Sequence, residues 1–158
     1  MAYTIVPSDA ASAREAVLEL WRRNFPEAPA GRYAWLYESG QAAGFLLHTG
    51  DGLAVGASGI MRRDFRAFGK VVRGGQSIDL NVNREHRLAG PARKLQHTVM
   101  DAVAAGEIDL AYGFPNRQSE AVVRRSGYQT LGELGRWVKP LSSRLALDRW
   151  SWPTWLRR

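Results

Sequence analysis

From Asp79 to Ala92 the chain reads Asp-Leu-Asn-Val-Asn-Arg-Glu-His-Arg-Leu-Ala-Gly-Pro-Ala: an alternating strand, a basic turn, then Gly-Pro at the head of an amphipathic helix. A strand that hands the chain directly to a helix N-terminus requires layered packing of helices on a sheet, with the turn at the C-terminal end of a strand, where open sheets collect ligands. The turn also has the chemistry of a phosphate cradle. Unpaired backbone N–H groups and the positive end of the helix dipole converge there. Arg84, Arg87, Arg93 and Lys94 add cationic side chains, Gly90 lets a ligand approach the backbone, and Pro91 at the first helical position gives up only an N–H that the helix does not use.

The rest of the chain supplies a layered fold around this turn. Tyr3 to Val6 is β-prone, and Ser8 or Asp9 can cap a helix that carries Ala13, Val17, Leu18, Leu20 and Trp21 mostly on one face and ends near Asn24 to Pro26. A shorter helix is expected from Gly31 to Glu38. Strands follow at Gly44–His48 and Leu53–Met61, joined through Thr49-Gly50-Asp51-Gly52, then at Gly69–Arg73 and Gln76–Val82. In the last of these, Ile78, Leu80 and Val82 fall on one face and Ser77, Asp79 and Asn81 on the other. Ala92, Leu95, Val99, Ala102 and Val103 mark a helix from Pro91 to about Ala105, closed by Gly106. A short strand over Ile108–Gly113, a brief helix capped by Asn116 or Ser119 and ended by Gly127, and a final strand from Tyr128 to about Val138 complete an α/β or α+β domain around a mixed sheet.

Composition limits the partners. The 158 residues can bury one core, and the absence of cysteine excludes disulfides, thiolate metal sites and a cysteine nucleophile. No apolar stretch approaches a membrane span and no leader pattern opens the chain, so a cytoplasmic protein is expected. A net charge of +7 suits an anionic partner. His48, His86 and His97 share no metal-ligand spacing, and no metal is expected. The arginines are spread through turns without a nucleic-acid recognition motif.

Arg87-Leu88-Ala89-Gly90-Pro91-Ala92 matches the signature Arg or Gln, two residues, Gly, one residue, Gly or Ala, and follows a strand and opens a helix as that signature does. With Phe114-Pro115-Asn116, Arg124 and Gly127-Tyr128 downstream, residues 3 to 140 resemble the GNAT (GCN5-related N-acetyltransferase) superfamily of acyl-CoA N-acyltransferases. Arg32-Tyr33-Ala34-Trp35-Leu36-Tyr37 and Leu131-Gly132-Glu133-Leu134-Gly135-Arg136-Trp137 look like a poorly characterised branch associated with polysaccharide loci.

The resemblance implies a mixed, mostly antiparallel sheet flanked by helices, with a splayed strand pair forming the acyl-CoA cleft. It implies that acetyl-CoA or another acyl-CoA binds along Leu80, Asn81 and Val82, with its pyrophosphate over Arg87, Leu88, Ala89, Gly90, Ala92 and Arg93, and that Asn116 meets the pantetheine arm or caps its helix. A primary amine on a small molecule then attacks the thioester directly. Asp79 is the candidate general base, Gln76 cannot titrate, and the position at which many relatives carry a proton-donating tyrosine holds Val123. The alternative is a module that keeps the fold and binds CoA or a protein partner with weakened catalysis. Residues 141 to 158 form a tail with Trp150, Trp152 and Trp155 among arginines, expected to make an intramolecular or protein contact, with peripheral membrane contact as the other reading. A homo-oligomer is compatible with all of this.

Overall fold

Each strand lies beside the one before it: β1 (Tyr3–Ser8), β2 (Ala42–Thr49), β3 (Ala54–Ala67), β4 (Lys70–Val82) and β5 (Leu110–Gly113) form a five-stranded sheet in chain order. The computed structural model describes residues 2–87 and 90–135. The first four strands are antiparallel, while β5 runs parallel to β4 because α2 (Pro91–Ala104) carries the chain back across the sheet between them. α1 (Arg14–Asn24) and a π-helical turn (Ala34–Glu38) cover one face, and α2 with α3 (Arg117–Arg125) the other.

Two apolar layers hold these elements. On the α1 side Val17, Leu20, Trp21, Tyr33 and Leu36 pack on Leu46, Ala57 and Met61. On the α2 side Leu95 meets Leu47, Val55 and Val82, and Val99 meets Ile60 and Ile108. The helical spacing of 95, 99, 102 and 103 thus becomes the buried face of α2.

Several elements differ from expectation. The first helix begins at Arg14, because Asp9 ends β1 by closing a turn of its own: its carboxylate accepts from the Ala11 and Ser12 N–H groups at 3.1 and 2.9 Å, and its carbonyl from Ala13 at 3.0 Å. Residues 69–73 and 76–82 belong to one strand, since Gly74 and Gly75 stay paired with Arg63 and Arg62. Gly74 and Gly75 do not break the strand because its neighbours leave no room for side chains: a Cβ on Gly74 would meet Phe65 at 2.3 Å and one on Gly75 would meet Ile108 at 2.5 Å. No strand forms over residues 128–135; Leu131 and Leu134 are exposed there, and with glycines at 132 and 135 the segment has little to pair or bury. Residues 136–158, and with them the rest of the expected strand and the tryptophan-rich tail, lie outside the described residues.

β4 does not keep its two-residue alternation. Ile78 pairs with Gly59 and Asn81 with Ala57, so Ser58 alone faces both Asp79 and Leu80, and Asp79 takes a left-handed φ of 54°. This is a β-bulge, and one inserted residue switches every later side chain to the other face. Ile78 therefore joins the α1-side core while Leu80 and Val82 pack on the α2 side. Ser77, expected beside Asp79, instead bonds Gln96 of α2. Asp79 and Asn81 do share the α1 side, where they meet Arg32 and Asn24.

Candidate active site

β4 and β5 pair only from Gly74–Leu110 to Ser77–Gly113. Beyond that point β4 continues through the bulge to Val82, whereas the chain leaves β5 through Phe114-Pro115-Asn116. The two strands splay and open a cleft of about 800 Å³, walled by β4 from Gln76 to Val82 on one side and by Gly113–Asn116 and α3 on the other. The main chain of Ile78–Val82 has no β5 partner along this edge. At its far end stands the N-terminus of α2, where Gly90 is the N-cap and Pro91 occupies the first turn. A Cβ built on Gly90 would meet nothing within 4 Å among the described residues, so the space over the helix end is open.

Asp79 is the only carboxylate lining the cleft among the described residues, and its side chain is 5% exposed. Arg32 donates to one of its oxygens at 2.6 Å and the Tyr37 hydroxyl donates to the other at 2.9 Å. Arg32, itself on the cleft wall, lies 5.7 Å from the Trp21 ring centroid, close enough for a cation–π contact. Burial, and then the adjacent Asp79 charge, push the Tyr37 hydroxyl far above the ordinary phenol range. Gly59 makes this approach possible, because a Cβ there would stand 2.6 Å from the Tyr37 oxygen.

A second network ties α1 to the strand end. Asn24 donates to Asn83 at 3.1 Å and to Asn81 at 3.4 Å, and accepts from Arg87 at 2.8 Å. Arg87 also donates through Nε to the Val82 carbonyl at 2.8 Å, which holds its guanidinium along the cleft wall. Asn81 closes on its own strand, donating to the Asp79 carbonyl at 2.8 Å.

Across the cleft, Asn116 caps α3 by accepting from the Gln118 and Ser119 N–H groups, both at 3.0 Å, and lines the wall as it does so. Val123 lines the same wall. Tyr112 donates to Gln76 at 3.3 Å and is no part of the cleft lining. Tyr128 does line it, and its buried hydroxyl has no hydrogen-bond partner among the described residues. Ser77 faces that phenol, but the Ser77 hydroxyl is bonded to the buried Gln96 at 3.1 and 3.2 Å. Burial raises the Tyr128 pKa, with Ser77 opposing in part.

The fold thus brings Asp79, Leu80, Asn81, Val82, Arg87, Ala92 and Asn116 onto one cleft. Arg93 is exposed outside that wall and bonds His97 at 3.2 Å, and Leu88 and Ala89 lie outside the described residues. His86 takes Tyr3 as its partner at 3.0 Å. Nothing in the sequence marks Arg32, Tyr37 and Asn24 as site residues, since their approach depends on the bulge and on the end of α1. No cluster of His, Asp and Glu fit to hold a metal occurs among the described residues.

The model of the acetyltransferase (GNAT) domain matches residues 9–131. The fold is shared with AAC(6')-Iy, solved in complex with a bisubstrate analog, CoA-S-monomethyl-acetylneamine: TM-score 0.72, 16% identity, 89% of this chain and 99% of that one. An acetyltransferase from Trypanosoma brucei superimposes at TM-score 0.70 with 15% identity over 87% of this chain and all of that one. Glucosamine-6-phosphate N-acetyltransferase from Arabidopsis thaliana does so at 0.69 with 11% identity over 90% of this chain and all of that one. No curated protein matches the sequence at a significant level. The chain belongs to the GNAT acetyltransferase family.

Proposed function

We propose that this protein is an N-acyltransferase that uses an acyl-CoA, acetyl-CoA first among them, to acylate a primary amine on a small molecule. The observation that carries this reading is the edge of β4 from Ile78 to Val82, which has no β5 partner, together with the N-terminus of α2 at Gly90-Pro91. A pantetheine arm carries amides that pair with such an edge as an added strand would, and a pyrophosphate fits the helix end. Pro91 subtracts one N–H from that end, and Arg87 and the backbone from Gly90 onward supply the rest.

In this reading the amine nitrogen attacks the thioester carbonyl, the C–N bond forms, the C–S bond breaks, and CoA leaves as a thiolate. An N–H of β4 near the bulge meets the developing oxyanion. Asp79 is the carboxylate assigned to take the amine proton. Both its oxygens already accept from Arg32 and Tyr37, so a proton reaching it shares or displaces one of those bonds. Val123 has no proton to give, and the phenol on the cleft wall is Tyr128, whose hydroxyl is buried and would have to turn toward the departing thiolate to protonate it.

Val123 also supports a second reading, a CoA-binding module with weakened catalysis. Calorimetry with acetyl-CoA, paired with a free-thiol assay over a panel of small amines, separates the two. Saturable binding with thiol release on at least one amine supports the enzyme. Binding with no release above the uncatalysed rate supports the module, and no saturable binding defeats both.

A further inference from the structure

β3 and β4 run on past the rest of the sheet. The β2–β3 pairing ends at Ala42–Met61 and the β4–β5 pairing begins at Gly74–Leu110, so residues 62 to 73 form a two-stranded ribbon. Its tip is the two-residue turn Phe68-Gly69, closed by the Ala67–Lys70 pair. Both turn residues have positive φ, 51° and 74°, as a type I′ hairpin requires. That turn favours Asn-Gly, and a bulky aromatic is a genuine outlier at such a φ. Phe68 nevertheless stands there with its side chain fully in solvent, at 104% relative exposure. Val71 is 57% and Phe65 39% exposed just behind it. Arg62, Arg63, Arg66 and Lys70 are exposed along the ribbon, against one carboxylate, Asp64, while Arg73 at its base is paired with Asp109 at 2.5 Å.

We propose that this ribbon is a membrane-docking element, with Phe68 inserted into an anionic lipid surface and Arg66 and Lys70 held at the headgroups. A strained backbone that displays an apolar ring serves no packing purpose among the described residues, and the surrounding charge fits an anionic occupant. The shape selects which one. A convex tip of two residues cannot supply the roughly 1,200 Å² that a stable protein interface buries, whereas a bilayer accepts a single aromatic point and gathers cations around it.

The test is co-sedimentation of the full chain with vesicles of phosphatidylcholine, with and without phosphatidylglycerol, against the variants Phe68→Asn and Arg66→Gln/Lys70→Gln. Asn suits the left-handed turn, so Phe68→Asn keeps or raises the melting temperature while membrane partitioning falls about tenfold or more. The charge variant loses partitioning to anionic vesicles by on the order of tenfold, and the wild type binds neutral vesicles weakly. Equal partitioning of Phe68→Asn and wild type, no binding of wild type to anionic vesicles, or equally tight salt-sensitive binding to duplex DNA would each overturn the proposal. So would a concentration-dependent dimer in sedimentation velocity that Phe68→Asn abolishes.

Discussion

Asp79 concentrates the questions that single side chains can answer. Asn tolerates a left-handed φ as Asp does, so Asp79→Asn changes the charge with little disturbance of the bulge. If Asp79 takes the amine proton, kcat/KM falls about a hundredfold while the Kd for acetyl-CoA stays put. An unchanged kcat/KM would leave Asp79 as a post for Arg32 and Tyr37. Tyr128→Phe removes one oxygen that has no hydrogen bond among the described residues, so stability holds or rises slightly, while kcat drops about tenfold or more and CoA affinity does not move. An unchanged kcat would return the leaving thiolate to solvent. Tyr37 predicts an alkaline effect. Its pKa is raised in the fold, so its contribution to stability is complete below the pH of about 10 at which an unfolded phenol ionises, and is lost as the pH rises toward the folded value. Urea titrations from neutral to pH 11 (about one unit above that phenol value) should show a steeper loss for wild type than for Tyr37→Phe.

Among the elements, α2 was the most legible, because Gly90-Pro91, the 95-99-102-103 spacing and Gly106 each act locally and agree with one another. The helix end makes its own prediction. Gly90→Val puts its side chain into open space, so the melting temperature changes little, yet the branched side chain stands over the anion site and weakens acetyl-CoA binding about tenfold or more, as calorimetry would read. β4 was half legible. Its residues 76–82 alternate without a break in the sequence, and nothing in that pattern announces the extra residue, since the bulge arises from how β3 presents Ser58 to it. That hidden insertion is why Ser77 and Ile78 are on the faces opposite to those expected, and why Arg32 and Tyr37 reach Asp79. The ribbon tip left a different trace. Phe68-Gly69 reads as a turn only through its glycine, because its first residue is one that such turns avoid.

At the scale of the whole molecule, four antiparallel strands are followed by one parallel neighbour, reached through the α2 crossover, whose contact with β4 is only four residue pairs long. That short pairing makes the cleft: β4 runs on to Val82 where β5 has already ended at Gly113. The residues around it come from both helical layers, α1 through Asn24 and α3 through Asn116, so loss of either layer reaches the site.

The open stretch of β4 has a consequence for the empty protein. From Ile78 to Val82 the side of β4 turned away from β3 has no β5 partner, and such an edge is what a stray strand from another molecule would seek. Natural sheets blunt such edges with charge or proline, and here the only charged residue along the stretch, Asp79, is turned inward onto Arg32. A bound pantetheine arm would therefore act as a plug as well as a reactant. On mild heating, light scattering should show the ligand-free protein aggregating well before the acetyl-CoA-loaded protein, and by a wider margin than the rise in melting temperature alone accounts for. Cofactor supply would then set how long the protein stays dispersed.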